Sequence, residues 1–248
     1  GCHSHDPYVR LNYSIETSCN AYYCNVFRLV MSQDKFENSH DALQNWHDRV
    51  AAFGLGEELG LDVHGEEAGN LPGPEYYDSI YRVGAWKWPT VVSLSIGQGE
   101  LGVTPLQMAN FTSAIANRGY YITPHLLKTP RHPELKDSIN IKRNNTGIDR
   151  KYFKLVVDAM YDVVEQGTAR WYGKVDSLAI CGKTGTAQNP HGEDHSIFIA
   201  FAPKDDPKIA IAAVVENSGY GSVWAAPVST LMIEKYLKGK SSRPRIEK

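Results

Sequence analysis

Residues 181–188, CGKTGTAQ, combine a lysine, two threonines and two glycines, a set of residues that can bind an anionic group. The GKT within this stretch also ends the phosphate-binding loop of nucleotide-binding proteins. That loop needs a glycine five positions before the glycine of GK, so that backbone N–H groups can surround a phosphate before a helix begins. Position 177 is a serine, and no helical pattern follows Thr184. The sequence therefore excludes a phosphate loop.

The two segments that follow CGKTGTAQ are typical of β-strands. They are HSIFIAFAP at 195–203 and KIAIAAVVEN at 208–217, and the turn-forming KDDP separates them. We therefore predict a three-stranded antiparallel meander whose first strand is CGKTGTAQ. Its glycines, Gly182 and Gly185, suit a place where a ligand or another backbone approaches closely.

Helical periodicity predicts the elements that must position this sheet. The predicted helices cover residues 12–31, 40–53, 105–117, 150–166 and 223–238. The segments predicted to be extended or irregular are 54–85, the strand-like VVSLSIG at 91–97, and the polar loop 127–147. Together these elements predict an α+β fold, an antiparallel sheet flanked by helices.

The composition of the 248 residues excludes some classes of function. A net charge of −2 gives no reason to expect nucleic acid as a partner. No apolar run approaches the roughly 18 residues that a membrane span requires. The chain begins without an initiator methionine, and we expect it to be part of a longer protein.

A second motif lies upstream of the lysine-threonine-glycine strand. Ser18, Cys19 and Asn20 form an S-x-N triplet, and active-site serine penicillin-recognising enzymes combine S-x-x-K, S-x-N and K-T-G in that chain order. Three longer segments, SIGQGELGVTPLQMANFTSAIANRG, EQGTARWYGKVDSLAICGKTGTAQ and HSIFIAFAPKDDPKIAIAAVVENSGYG, resemble the transpeptidase domain of class B penicillin-binding proteins. The resemblance is closest to the elongation-specific penicillin-binding protein 2 group, and it covers nearly the whole chain. It implies the penicillin-binding/β-lactamase-like serine transpeptidase fold.

The resemblance implies a reaction and roles for several residues in it. Enzymes of this family cleave a D-alanyl-D-alanine stem peptide by attack of a serine hydroxyl, and then pass the acyl group to an amine of a second stem. Ser18 resembles the S-x-N serine, which relays a proton to the departing amine, and Asn20 resembles the asparagine that holds the backbone amide of the substrate. Lys183 resembles the K-T-G lysine, which supplies positive potential beneath the site.

The remaining residues of the K-T-G strand are implied to bind substrate. Thr184 and Thr186 resemble the hydroxyls that bind the terminal carboxylate, or the corresponding group of a β-lactam. The backbone N–H of Thr186 would form half of the oxyanion hole. Gly185 would leave room for the substrate to lie along the strand edge as an added strand.

The nucleophilic serine of the family has no counterpart in the expected place. The single S-x-x-K string, Ser32 to Lys35, lies after S-x-N, whereas the family places it several dozen residues before. We therefore reject Ser32 as the nucleophile. We expect the chain to begin downstream of the catalytic serine and lysine, without the membrane anchor and the first strands of the sheet. As an isolated piece it is then expected to be inactive.

Cysteine and histidine residues near the start of the chain raise the question of a metal. The activity requires no cofactor, but some elongation-type family members carry zinc near the S-x-N helix. Cys19 resembles the cysteine ligand, His5 is the candidate histidine, and Cys2 and His3 are possible further ligands. The histidines and acids of residues 191–195 fall in a predicted turn, and we interpret them as solvated loop residues.

The sequence thus predicts a peptidoglycan D,D-transpeptidase domain over residues 1–238 and a flexible tail over 239–248. The implied partners are peptidoglycan stem peptides, β-lactam antibiotics and a membrane-embedded glycosyltransferase of the elongation machinery. The implied location is the periplasmic side of the inner membrane. Two alternatives remain open: a D,D-carboxypeptidase or serine β-lactamase, and a non-catalytic penicillin-binding or partner-binding module.

Overall fold

A computed structural model describes residues 2, 5–127 and 142–243 of the chain. Its main sheet contains three antiparallel strands in the order β3-β4-β5. These strands are β3 (Cys181–Ala187), β4 (His195–Ala202) and β5 (Ile209–Val215). Thr184 lies opposite Phe198 in the register of β3 and β4. The predicted meander and the α+β class are therefore confirmed.

Helices cover both faces of this sheet. The helices are α1 (Leu11–Glu16), α2 (Asn20–Met31), α3 (Ser39–Ala51), α4 (Pro74–Ile80), α5 (Pro105–Ala116), α6 (Arg150–Glu165) and α7 (Ala225–Lys238). Ser196 of β4 accepts a hydrogen bond from the backbone N–H of Ala225 at the start of α7. Phe201, five residues later and so on the opposite face of the strand, packs beneath the Arg118 guanidinium just after α5. The sheet is therefore sandwiched between α7 on one side and the end of α5 on the other.

A second, smaller core lies beside this sandwich, among α2, α3 and α4. Leu43 and Tyr77 are completely or almost completely buried there, together with Trp86. The segment that follows carries a short 3-10 helix, Val92–Ile96, and two short strands, β1 (Tyr120–Ile122) and β2 (Arg143–Asn145), pair antiparallel further along the chain.

The prediction of one continuous helix over residues 12–31 was wrong. The chain forms α1 and α2 with a turn at Thr17–Cys19 between them. Ser18 has a φ of +56°, in the left-handed region that a helix of L-residues cannot continue through. Hydrophobic periodicity missed the break because apolar side chains recur on both sides of it.

Three other segments differ from their predicted conformations. VVSLSIG contains the 3-10 helix rather than a strand, because a short apolar run does not by itself distinguish the two. The segment predicted as extended over 54–85 contains α4, which starts with Pro74 at its first helical position. Within the predicted loop 127–147, residues 143–145 form β2, and residues 128–141 lie outside the described part.

Residues 241–243 contact the buried carboxylate of Glu234 on α7. The hydroxyl of Ser242 donates to Glu234 at 2.6 Å, and the Arg243 guanidinium lies 3.4 Å from the same carboxylate. Residues 241–243 are therefore attached to α7, while residues 244–248 of the predicted tail lie outside the described part. Over the described residues, no helix has both the length and the apolar character needed to cross a bilayer.

Candidate active site

The turn between α1 and α2 carries the S-x-N triplet. The backbone N–H of Ser18 donates to Ile15 at 3.4 Å, and that of Cys19 donates to Ser14 at 3.0 Å, so both bonds return to α1. Ser18 then adopts its left-handed conformation, and α2 begins at Asn20. The turn is thus fixed by backbone bonds, and it places Ser18 between the ends of two helices.

The structure brings the S-x-N and K-T-G residues together across 165 positions of sequence. The ammonium group of Lys183 on β3 donates to the hydroxyl of Ser18. It also donates to the backbone carbonyl of Thr184 at 2.9 Å. Asn20 is half-buried in the first turn of α2, two residues from Ser18. Helix and strand therefore meet where the sequence places its candidate catalytic residues.

The environment of Lys183 changes its protonation behaviour. Burial of the ammonium group lowers the pKa of Lys183 to about 8, because the charged form loses solvation by water. A lysine with this pKa stays mostly protonated at pH 7 and still releases a proton readily. Lys183 therefore remains mostly a cation at pH 7, and it donates a hydrogen bond to Ser18.

The edge of β3 opposite β4 carries backbone groups that no neighbouring strand pairs with among the described residues. Among the described residues, β3 pairs only with β4. The side-chain amide of Gln98 donates to the carbonyl of Thr186 at 3.0 Å, so this carbonyl points away from β4. In an extended strand, the N–H and C=O of one residue point to the same side. The N–H of Thr186 therefore also faces the free edge, as an oxyanion donor must.

The two glycines of β3 have different close neighbours, and the predicted approach of another backbone is found at Gly185, where a Cβ at Gly221 would lie 2.3 Å from the carbonyl oxygen. A Cβ at Gly182 would lie 2.3 Å from the Phe198 ring, so packing against β4 requires glycine there. A Cβ at Gly185 would lie 3.3 Å from the Cβ of Ile197, which is tight but leaves the free edge of β3 unaffected. Close approach of a ligand is thus not needed to explain Gly182.

Two polar residues at this site were missed by the sequence interpretation. They are Gln98, which contacts Thr186, and Thr168, whose hydroxyl lies 2.8 Å from the hydroxyl of Thr184. Both belong to segments that carried the family resemblance, SIGQG and EQGTA. Both segments therefore resembled the family, but the sequence interpretation assigned roles only to residues of the S-x-N and K-T-G motifs.

Ser32, the serine of the S-x-x-K string, lies away from this site. It is exposed at the C-terminal end of α2. Because a helix rises 1.5 Å per residue, Ser32 is about 18 Å along the axis from Asn20. Its Lys35 stacks on the ring of Phe36 instead of contacting the serine hydroxyl. The position of Ser32 agrees with its rejection as the nucleophile.

A cluster of thiols and imidazole lies next to Ser18 in the chain. The ligand atoms of Cys2, His5 and Cys19 lie within 4.8 Å of one another, and the two sulfurs are 3.8 Å apart. His5 Nδ1 lies 2.8 Å from the carbonyl of Asp6, which favours the tautomer protonated at Nδ1. His5 Nε2 is buried and has no hydrogen-bond partner among the described residues.

These three residues fit a zinc ion. Thiolate sulfur and imidazole nitrogen are the ligands that zinc prefers. The backbone N–H of Ala21 lies 3.2 Å from Cys2 Sγ and lowers the pKa of this thiol, which favours the thiolate. His3, the other residue considered from the sequence, lies outside the described residues.

Residues 188–194 form the turn between β3 and β4, and His195, which the sequence interpretation placed in the turn, is the first residue of β4. His191 and Glu193 are exposed, and His195 Nδ1 accepts the backbone N–H of Asn217 at 3.1 Å. In the described ranges, only Cys2, His5 and Cys19 group as possible metal ligands. The geometry agrees with a solvated turn.

Comparisons of the sequence identify related proteins. Residues 2–234 match the family described as "Penicillin binding protein transpeptidase domain". The peptidoglycan D,D-transpeptidase MrdA of Acinetobacter baumannii is 31% identical over 95% of the chain, and that of Haemophilus influenzae is 31% identical over 96%. The chain spans 36% and 37% of the lengths of these two relatives.

Solved structures show the same likeness. The crystal structure of Pseudomonas aeruginosa PBP2 in complex with WCK 5153 superposes with a TM-score of 0.79 at 33% identity. It covers 95% of this chain, which spans 49% of the PBP2 chain. A chain from a peptidoglycan synthase complex, described as coordinating polymerization and crosslinking, superposes with a TM-score of 0.78 at 26% identity. It covers 94% of this chain, which spans 38% of that chain.

Proposed function

This chain belongs to the penicillin-binding protein transpeptidase family, and from that premise we propose that the longer protein containing it is a serine D,D-transpeptidase of cell-wall elongation. The family and fold predicted from the motifs are confirmed by the same matches. The observation that carries the proposal is the contact between Lys183 and Ser18, because it joins the S-x-N and K-T-G motifs into one site.

In the proposed reaction, the attacking hydroxyl belongs to a serine upstream of this chain. Its oxygen bonds to the carbonyl carbon of the penultimate D-alanine, and the C–N bond to the terminal D-alanine breaks. The proton of the attacking hydroxyl passes to the upstream lysine of the family's S-x-x-K motif. The departing amine receives a proton from Ser18, which takes one in turn from that lysine. Lys183 donates a hydrogen bond to Ser18 and keeps its positive charge beneath the site.

Residues of β3 and α2 would hold the substrate during this step. The N–H of Thr186 faces the free edge of the sheet, where it stabilises the oxyanion of the tetrahedral intermediate. The hydroxyls of Thr184 and Thr186 bind the terminal carboxylate, and Asn20 holds the backbone amide of the stem peptide. The substrate thereby adds to β3 as a further strand, with Gly185 at its centre.

A structural zinc ion bound by Cys2, His5 and Cys19 is part of the proposal. The buried and unpartnered Nε2 of His5 supports it, since a buried polar atom without a partner is rare in native proteins. Zinc here would stabilise the turn that carries Ser18, and it would take no part in the chemistry. The fourth ligand would come from outside this cluster.

The proposed partners and location follow from the substrate. Stem peptides of peptidoglycan are found outside the cytoplasmic membrane, so the enzyme would work at the periplasmic side of the inner membrane. β-Lactam antibiotics would acylate the same serine. The similarity to a chain from a peptidoglycan synthase complex supports a membrane-embedded glycosyltransferase as the partner.

The test is acylation of the complete protein by a fluorescent penicillin, with the labelled residue located by mass spectrometry. We expect a stable adduct on a serine upstream of this chain, and unchanged labelling of the Ser32→Ala variant. An adduct on Ser32 or Ser18, or no adduct at all, would contradict the proposal. Release of the label within seconds would favour a β-lactamase or carboxypeptidase instead.

A further inference from the structure

Thr168 forms hydrogen-bonding contacts next to both motifs of the site. Its hydroxyl lies 2.8 Å from the hydroxyl of Thr184 on β3. Its backbone N–H donates to the carbonyl of Glu16 at 3.3 Å, and Glu16 is the last residue of α1, two positions before Ser18. A single residue thus bonds both to the K-T-G strand and to the helix that leads into S-x-N.

The turn that follows α6 is built for these contacts. The N–H groups of Gly167 and Ala169 close the end of α6 on Asp162 and Val163, whereas the N–H of Thr168 turns toward α1. A Cβ at Gly167 would lie 2.7 Å from the carbonyl oxygen of Glu16, so a larger residue would push α1 away. Gly167 therefore allows α1 to come close enough for Thr168 to bond to it.

We propose that Thr168 is a positioning residue that aims the Thr184 hydroxyl at the carboxylate of the substrate. This inference rests on the proposed function. A hydroxyl has one proton to donate, and Thr184 must donate it to the carboxylate. It then accepts from Thr168, whose donation also polarises the Thr184 O–H and strengthens its bond to an anion. Without Thr168, the Thr184 hydroxyl can rotate among its rotamers.

The experiment compares two probes on the complete protein: benzylpenicillin, which carries the carboxylate, and its methyl ester, which does not. Thr168→Val keeps the shape and removes the hydroxyl. We expect it to lower the second-order acylation rate for benzylpenicillin roughly tenfold, the size of one hydrogen bond that serves a charged group. For the ester we expect less than a twofold change. Thr168→Ser should retain the wild-type rate with both probes.

Thr112→Val is the control, because the Thr112 side chain is fully buried, whereas Thr168 is half-buried, and the Thr112 hydroxyl bonds only to Met108 in its own helix. It should change neither rate. An equal loss of acylation rate with both probes would show that Thr168 has only a structural role, and it would overturn the inference. A wild-type rate of benzylpenicillin acylation in Thr168→Val would overturn it too. If Thr168→Val does not fold by circular dichroism, Thr168→Ala is measured against the same two probes. Failure of the wild-type protein to be acylated would instead refute the proposed function.

Discussion

Two polar clusters share the turn between α1 and α2, and they differ in what joins their side chains. Ser18 belongs to the first cluster, where it accepts from Lys183, and the hydroxyl of Thr184 contacts that of Thr168. Cys19 belongs to the second, in which His5 Nε2 is buried without a partner among the described residues. Hydrogen bonds between protein groups connect the first cluster, whereas the second brings three possible metal ligands together and leaves one nitrogen unpaired among the described residues.

The difference indicates what each cluster does. Hydrogen bonds already hold Lys183, Ser18 and Thr184 in place, so these groups can act on a substrate with little reorganisation. A buried imidazole nitrogen with no partner costs free energy unless an added group binds it. Chemistry is therefore expected from the first cluster, and stability from the second once a metal is present.

The largest effect is expected from Lys183. Lys183→Ala in the complete protein should slow penicillin acylation at least 100-fold, because a preorganised charge of this kind contributes about 3–4 kcal/mol to the transition state. Stopped-flow measurement of the acylation rate tests this. Lys174→Ala, which removes a lysine paired with Glu165 at the protein surface, is the control and should retain the wild-type rate. A wild-type rate in Lys183→Ala would remove the distinction between the two clusters.

Removal of metal is the corresponding test of the second cluster. Zinc should co-purify at about one equivalent with the complete protein. A chelator should lower the melting temperature by several degrees, since a ligand at 100 times its Kd contributes about 2.7 kcal/mol. His5→Ala should lose the zinc and the effect of the chelator together. Absence of zinc from the wild-type protein in elemental analysis would contradict the proposed zinc site.

The pH dependence of stability should distinguish Lys183 from an ordinary surface lysine. Its pKa is about 8 in the folded protein and about 10.4 in the unfolded chain. Between these values the unfolded chain binds a proton that the folded protein has released, so stability rises with pH across this window. Below pH 8 the folded protein also binds this proton, and the full free-energy cost of burying the charge then applies.

The expected rise is about 2 kcal/mol in the free energy of unfolding between pH 7 and pH 9.5. Lys183→Met, which fills the same space without a charge, should lack this rise. Urea denaturation of both proteins at each pH gives the difference, in which other titrating groups cancel. Parallel curves for the two proteins would show that the Lys183 ammonium group is solvated.

The sequence predicted those parts of the fold that local patterns encode. Alternating and apolar strands, together with the helical periodicity of residues 105–117, led to the correct sheet and to α5, which begins with a capping box of Thr104 and Gln107. The break at Ser18 was missed because its cause is a single left-handed residue held by bonds to α1. The local sequence pattern does not indicate these backbone bonds.

The site was predicted through motifs, and its supporting residues were not. Lys183 and Ser18 were found because their motifs are specific, whereas Gln98 and Thr168 act through contacts to β3 across 88 and 16 positions. Glutamine and threonine are common loop residues, so their types alone carried no signal. Burial of the Lys183 ammonium group, which sets its pKa, depends on packing that composition cannot reveal.

The smallest effect is expected at the turn between β3 and β4, which has the composition of a metal site without its geometry. His191 is exposed, whereas His5 has a buried nitrogen and a ligand atom within 4.8 Å of two thiol sulfurs. His191→Ala should therefore leave the zinc content unchanged and alter the free energy of unfolding by about 0.5 kcal/mol or less, as is usual for surface substitutions. The measurement pairs elemental analysis with urea denaturation, using His5→Ala as the contrasting variant. Loss of zinc from His191→Ala would mean that His191 also contributes to zinc binding. Burial would then not distinguish the histidine that binds zinc from the one that does not.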